Sequence, residues 1–551
     1  MEKLIVDHME TWTSALQTRS TAGRGSSGKI DLYGIKKLRE LILELAVRGK
    51  LVPQDPNDEP ASDLLKRIAA EKAELVKQGK IKKQKPLPEI SEEEKPFELP
   101  EGWEWVHLPD IYCSISESSR KIKSSEILPE GKYPVIEQSQ EFISGYCNNE
   151  CLLIKLNNPV IVFGDHTRNI KFIDFDFVVG ADGVKILSPI LICERFFFWQ
   201  LRSFKLDVRG YARHFKVLNS CLFALPPIAE QERIVEKVSS LMSLCDQLEQ
   251  QSLTSLDAHQ QLVETLLGTL TDSQNTAELA ENWARISEHF DTLFTTEASV
   301  DALKQTILQL AVMGKLVPQD PNDEPASELL KRIAQEKAQL VKEGKIKKQK
   351  PLPPISDEEK PFELPEGWEW CRIGNIVNIK SELVSPKDYL NLYQVAPDII
   401  EKGTGRVISK RTVKESGVKG PNSRFYKGQI VYSKIRPSLS KVFLAEYNGL
   451  CSADMYPLDC YINPNYLLKY ILSIPFLMQV KKAENRIKMP KLNSDSFYNI
   501  IVAIPPYNEQ QAIFDKINSI EAVCNGLISY IGIYHKTQLH LADALTDAAI
   551  N

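Results

Sequence analysis

Apolar positions in this chain recur with two periods. From Ile234 they step 234, 238, 241, 245, 248, and from Ile513 they step 513, 517, 520, 524, 527. Alternating steps of four and three are the seam of a coiled coil. In the first copy the repeat slips near Ser252 and resumes at Leu256, Val263 and Leu270, which makes about 38 residues of helix, roughly 57 Å long. A surface helix packed on its own domain shows the same spacing. The length and the two equal copies favour two seams that pair with each other, antiparallel. Shorter helices are predicted over Ile35–Arg48, stopped by Gly49, and over Asp63–Gln78, with Ser62 as N-cap and Gly79 at the end. The prolines of the intervening PQDPNDEP loop cannot sit inside a helix. Before them, Thr18–Lys29 is Ser/Gly/Thr-rich and reads as flexible linker.

The second period is two. Trp103 and Trp105 alternate as on a strand, and strand-like runs follow at Tyr133–Ile136, Leu152–Lys155, Pro159–Phe163, Phe172–Val179 and Val184–Leu187. A helix fits Leu191–Phe204. Later in the chain, Gln429–Ser433, Val442–Ala445 and Met455–Leu458 read as strands and Tyr466–Val480 as a helix.

These patterns occur twice because the chain repeats itself. The segment Gly49–Trp105 returns as Gly314–Trp370 with changes only at Asp63/Glu328, Ala70/Gln335, Glu74/Gln339, Gln78/Glu343, Glu89/Pro354 and Glu92/Asp357. Near-copies mean one structural unit built twice. Residues 106–225 and 371–504, which follow the copies, share little, and the second insert is 14 residues longer. Both inserts leave alike, through LFALPPIAEQERIVEKV (222–238) and IVAIPPYNEQQAIFDKI (501–517). The predicted organisation is an N-terminal frame (1–105), a first insert domain (106–225), a central frame with a long helix (226–370), a second insert domain (371–504) and a C-terminal long helix (505–551). The fold class is α+β: two α/β domains separated by long antiparallel coiled-coil helices, with a pseudo-two-fold internal repeat.

A net charge of −5 looks wrong for a nucleic-acid binder until it is divided. Residues 372–504 hold about 20 Lys/Arg against about 10 Asp/Glu, whereas 226–300 hold about 3 against about 13. One insert is strongly basic, and the acidic, Leu-rich segment suits protein docking. The ten cysteines lack a second Cys/His pair at finger-like spacing, so no metal site is expected. Glu2, Asp7 and Glu10 stand where a signal peptide needs cations and then an apolar core, and no apolar run reaches about 18 residues, so a cytoplasmic chain is expected.

Catalytic signatures are missing. There is no GxxxxGK[ST] and no HExxH. Pro505-Pro506-Tyr507 looks like the PPY of an adenine methyltransferase, but Ile504 precedes it where Asp, Asn or Ser is needed, and no FxGxG loop accompanies it. The prolines read as a stiff junction between insert and helix, and the chain is expected not to be an enzyme. A nuclease fused to recognition domains, or an interaction scaffold that never meets DNA, would be separated from a recognition subunit by turnover without partners and by salt-dependent affinity for duplex DNA.

Two variable inserts in a duplicated helical frame resemble the specificity subunit of a type I restriction–modification system. The PP-x-x-EQ-x-x-I motif (Pro226–Ile234, Pro505–Ile513) and the LPEGWEW motif (Leu99–Trp105, Leu364–Trp370) are similar to that family's junctions, and GKLVPQDPNDEP and GKIKKQKPLP resemble its B-type subfamily. The resemblance implies that each insert is a target-recognition domain reading one half of a split double-stranded DNA site. It implies that the long helices set the spacing and dock two methyltransferase (M) subunits, with restriction (R) subunits completing the enzyme. It implies no cofactor in this chain: S-adenosylmethionine, ATP and Mg belong to the partners. Adenine methylation requires flipping the base out of the duplex, and this chain offers no pocket motif for it.

Aligning the inserts by a central strand sets Phe163–Lys171 against Tyr432–Lys441, two polar, cationic loops leaving a hydrophobic strand. Their residue types read base edges and phosphates, which nominates His166, Arg168, Asn169 and Lys171, and Ser433, Lys434, Arg436, Ser438 and Lys441. A second pair of stretches adds Arg209, Tyr211, Arg213 and Lys216, and Arg486, Lys488 and Lys491. The runs Lys80–Lys85 and Lys345–Lys350 fit either spacer phosphates or plain solvation.

Overall fold

The computed structural model describes residues 1–19, 29–115, 120–180, 183–206, 213–484 and 490–550. The chain gathers into two compact units, Met1–Ser255 with Tyr534–Asn551, and Leu256–Ile533. Each unit contains two frame helices, one insert domain, the first part of one long helix and the last part of the other.

The frame helices are Tyr33–Val47 and Ala61–Lys77 in the first unit and Glu297–Val312 and Ala326–Lys342 in the second. Helix Tyr33–Val47 buries Ile35, Leu38, Leu41, Ile42 and Leu45 at the predicted helical spacing. Gly49 and Gly314 follow their helices at φ +65° and +71°, where a Cβ would meet Pro100 at 2.4 Å and Pro365 at 2.5 Å. Backbone conformation and close approach both demand glycine there. Ser62 is not the N-cap. Helix Ala61–Lys77 starts two residues earlier, behind Pro60 in extended conformation, and the Gly102 carbonyl takes the Ala61 N–H at 2.9 Å. Of the predicted linker Thr18–Lys29, residues 20–28 lie outside the described residues. Helices Glu2–Asp7 and Met9–Ser14 bury Trp12, and Gln17–Arg19 pairs antiparallel with Lys29–Asp31.

The repeated motifs meet at one point in each unit. Glu230 accepts hydrogen bonds from Trp103 Nε1 (2.9 Å) and Gln54 Nε2 (3.1 Å), and Glu509 accepts the same pair from Trp368 (3.0 Å) and Gln319 (3.2 Å). The neighbouring Gln231 donates to Pro226 O and accepts from Cys193 N, as Gln510 donates to Pro505 O and accepts from Asn463 N. The EQ dipeptide thus ties the frame loop, the tryptophan before the insert, the proline junction after it and a helix within it. Burial raises the carboxyl pKa of both Glu230 and Glu509. The cost of burying these carboxylates is offset by the donors that face them.

Among the described residues, each insert domain has two four-stranded sheets besides a two-stranded ribbon that joins its ends, Glu104–His107 with Leu222–Leu225 and Glu369–Arg372 with Ile501–Ile504. The first sheets share one order. In domain one it is Tyr112–Ile115, Val184–Pro189, Val160–Gly164, Ile170–Ile173; in domain two it is Val377–Ile379, Met455–Cys460, Ile430–Ser433, Val442–Leu444. The run 172–179 is two strands, Ile170–Ile173 and Phe177–Val179, in different sheets. The turn between them is fixed by Asp176, whose carboxylate accepts the Leu156 N–H at 2.9 Å. Likewise 466–480 is two helices, Pro464–Ile471 and Ile474–Ala483, because Pro475 can start a helix but not continue one.

The long helices span Ile228–Asp272 and Tyr507–Ile550. The first has 45 residues, about 67 Å, and is unbroken at Ser252 where the apolar repeat slips. Within the second unit, both readings of the seam apply in series. Ile513 and Ile517 pack with Trp368, Tyr466 and Val502 of their own domain. Further along, Cys524 and Ile531 pack with Val263, Leu267 and Leu270 of the first long helix and with Val300, Leu303 and Ile307 of a frame helix.

Candidate nucleic-acid interface

In both domains one hairpin of the first sheet ends in a polar loop. In domain one, Phe163 pairs with Ile170, Gly164 N donates to Asn169 O (2.9 Å) and Arg168 N to Gly164 O (2.8 Å). Arg168 sits at φ +62°, in the left-handed region. In domain two, Tyr432 pairs with Val442 and Ser433 N donates to Lys441 O (2.9 Å). Arg436 sits at φ +45° and Ser440 at +46°. Left-handed non-glycine residues are uncommon and cluster at functional sites. An arginine adopts that conformation in both loops.

The structure also brings together the two stretches singled out in each domain. Asp165 is buried; its carboxylate accepts Phe215 N (2.8 Å) and its carbonyl accepts His214 N (2.8 Å), which places exposed Arg213 and Lys216 beside the first loop. In domain two, Arg436 N donates to Pro490 O and Leu492 N to Lys434 O, both at 2.9 Å. Lys491 and Lys434 share Asp454, at 3.2 and 3.8 Å, and Lys434 also donates to Ala453 O at 2.7 Å.

The loops are held differently. Gln138 buttresses the first: its carbonyl accepts Asn169 Nδ2 (2.8 Å) and its side-chain oxygen accepts His166 N (3.2 Å). The Arg168 guanidinium donates to Leu206 O at 2.8 Å. Arg168, Asn169, Arg202 and Lys205 wall an open cleft of about 620 Å³. In the second loop, Glu484 accepts Ser438 N at 2.9 Å. The Arg436 side chain is exposed and has no partner among the described residues.

Two nominated residues do not face outward. Lys171 is buried, with its ammonium donating to the carbonyls of Glu137 (2.8 Å), Phe142 (3.4 Å) and Glu141; burial lowers its pKa. Ser433 is fully buried and its hydroxyl donates to Ile435 O at 3.0 Å, so it shapes the loop instead of presenting itself. Lys441, whose ammonium donates to Pro397 O, corresponds to Asn169 in the hairpin register, not to Lys171, which pairs with Val162. Arg209, Tyr211, Arg486 and Lys488 lie outside the described residues. Sequence reasoning passed over Gln138, because a glutamine near a strand end carries no motif. It passed over Arg202 and Lys205 too, although two cations near the end of a helix in an otherwise apolar segment were a usable signal.

Known proteins resemble this chain along its whole length. The family described as the type I restriction modification DNA specificity domain matches residues 100–258 and 365–531. The type I restriction enzyme EcoAI specificity subunit of Escherichia coli is 51% identical, with 100% of both chains covered. The EcoEI specificity subunit of the same organism is 48% identical, also with 100% of both covered. A solved chain described under complex assembly and conformational transition of the type I R-M system aligns over 83% of this chain and 99% of its own, at 14% identity and a TM-score of 0.43.

Proposed function

The chain belongs to the type I restriction modification DNA specificity family, and from that premise we propose that each insert domain reads one half of a two-part DNA site through its arginine-tipped hairpin. The chain is the specificity subunit of a type I restriction–modification enzyme and does not itself catalyse. The observation that carries the proposed reading mode is that each hairpin tip holds a left-handed arginine, Arg168 or Arg436, beside a second cationic stretch, although in the hairpin register it is Ser440, also left-handed, that stands opposite Arg168. A guanidinium suits bidentate recognition of a guanine edge or a phosphate. Arg213 and Lys216 in one domain, and Lys434 and Lys491 in the other, supply the backbone contacts that fix register.

In this reading the long helices set the distance between half-sites. Halves facing one side of the duplex lie about one turn, roughly 34 Å, apart, well within a 45-residue helix of about 67 Å. The acidic helical segment and its repeat dock two methyltransferase subunits, and restriction subunits join through them. S-adenosylmethionine is held by the methyltransferase subunits and ATP and Mg by the restriction subunits, with no cofactor in this chain. Among the described residues no helix is long and apolar enough to cross a membrane, and we place the assembly in the cytoplasm with its DNA.

The test is a gel shift of the assembled methyltransferase. Arg168→Ala and Arg436→Ala should each weaken specific binding by about 1–3 kcal/mol. Unchanged affinity and unchanged site preference for both would remove the hairpins from the interface.

A further inference from the structure

The frame repeats a lysine-rich run, GKIKKQKPLP, at 79–88 and 344–353, and the reading loops do not use it. We infer that these two runs are phosphate clamps for the DNA flanking each reading hairpin, contacting backbone without regard to sequence. The inference rests on the hairpin reading above.

Three observations point this way. Lys80, Lys82, Lys83, Lys85, Lys347 and Lys348 are exposed and have no carboxylate partner among the described residues. A run of lysines that were only solvating a helix would sit on one, but 82–88 and 347–352 belong to no helix or strand, with the prolines excluding helix. At about 3.1 Å per residue, an extended Lys82 to Lys85 would span roughly 9 Å, the axial rise of about three phosphates on one strand.

The second observation is position. In the second unit, Lys350 reaches Asp495 at 3.5 Å, on the short helix Ser494–Tyr498. That helix directly follows the stretch Pro490–Leu492, which is hydrogen-bonded to the Arg436 loop. A basic ridge therefore continues from the reading loop through Lys491 to the lysine run. The third observation is the substitution between copies. The matching helix of the first unit, Phe215–Leu218, carries exposed Lys216 where the second has Asp495. In the second unit that carboxylate is paired with Lys350, so the cations there are Lys491 and the lysine run, whereas in the first unit Lys216 adds a cation of its own.

The run is held in place by the frame. Lys72 donates to Gln84 Oε1 (2.8 Å) and Pro109 O (2.6 Å), and Lys337 to Gln349 Oε1 (3.4 Å) and Gly374 O (2.6 Å). These lysines at equivalent positions of the two copies anchor the run, and the exposed ones are left for a polyanion. The same chemistry would suit an acidic protein surface, so the experiment separates the two.

The experiment uses the full complex with its methyltransferase subunits and compares wild type with the quadruple variant K82Q/K83Q/K347Q/K348Q. Affinity is measured against salt concentration for a cognate and a non-cognate duplex, with subunit content checked by native mass measurement. Each lost phosphate contact lowers the slope of log affinity on log salt by about 0.9. The expected result is a slope shallower by roughly 2–4, weaker binding of both duplexes, an unchanged cognate preference and intact subunit content. An unchanged slope overturns the clamp, and so does loss of methyltransferase subunits at unchanged slope, which would assign the runs to protein docking. A failed hairpin reading would show instead as unaltered binding by the Arg168→Ala and Arg436→Ala proteins, which leaves the slope test intact.

Discussion

The two recognition domains agree where they join the frame and part company at their outer edges. Their first sheets run in the same strand order, and their second sheets share a central strand with one parallel and one antiparallel neighbour: Phe177–Val179 beside Tyr133–Ile136 and Leu153–Ile154, and Gly449–Ser452 beside Tyr393–Val395 and Asn422–Phe425. The fourth strand is then added on opposite sides. In domain one Gly145–Cys147 pairs with the parallel neighbour; in domain two Leu383–Val384 pairs with the antiparallel one. The hairpin tips differ as well, 165–168 against 434–440, one buttressed by Gln138 and one leaving Arg436 unpaired. Divergence is tolerated at edges and tips because little else is packed on them. The Glu–Trp–Gln cluster at the base is kept alike because four segments depend on it.

That contrast can be broken most forcefully at the base. Trp103→Ala and Trp368→Ala each empty a buried site and remove one of the two donors to a buried carboxylate, so each should cost about 3–5 kcal/mol in chemical denaturation of its unit. The two losses should be equal within error; a large difference would mean the clusters are not equivalent. A smaller effect belongs to one domain only. Lys171→Met leaves three carbonyls without this donor and should lower stability by about 1–3 kcal/mol without changing the salt slope of DNA binding.

Glycine at the tips sharpens the comparison further. Arg168→Gly and Arg436→Gly relieve left-handed backbone, a gain of up to about 1 kcal/mol in stability, while weakening DNA binding. The stability gain should be smaller for Arg168, whose guanidinium also loses its bond to Leu206 O. The smallest expected effect is on pH. The folded pKa of Glu230 and Glu509 is raised by burial, so folded protein binds more protons than unfolded protein between the usual carboxylate value and the raised one. Their contribution is fully present below the unfolded pKa and is lost as pH rises through the folded pKa. E230Q/E509Q should flatten that part of the stability profile, measured by thermal unfolding across it.

The base was legible in the sequence and the rim was not. Helix stops at Gly49 and Gly314, the proline junctions and the EQ motif stand out because an exact geometry is needed twice and so is written twice. Segments 172–179 and 466–480 each read as one element because their apolar runs are continuous. Their breaks depend on an Asp176 side-chain bond and on Pro475 being read as a start, not an interruption. The tips were found by residue type, but burial of Lys171 and Ser433 depends on loops brought in from Glu137–Phe142 and from the turn itself, which no periodicity encodes.

The central claim is that the two domains read independent halves of one site. It is tested most directly by mapping methylated adenines in DNA modified by the complete methyltransferase carrying wild-type or Arg436→Ala specificity subunit. The account predicts that one half of the modified site becomes degenerate while the other half and the spacer stay as they were. Degeneration of both halves together, or a change in spacer with both halves intact, would contradict it.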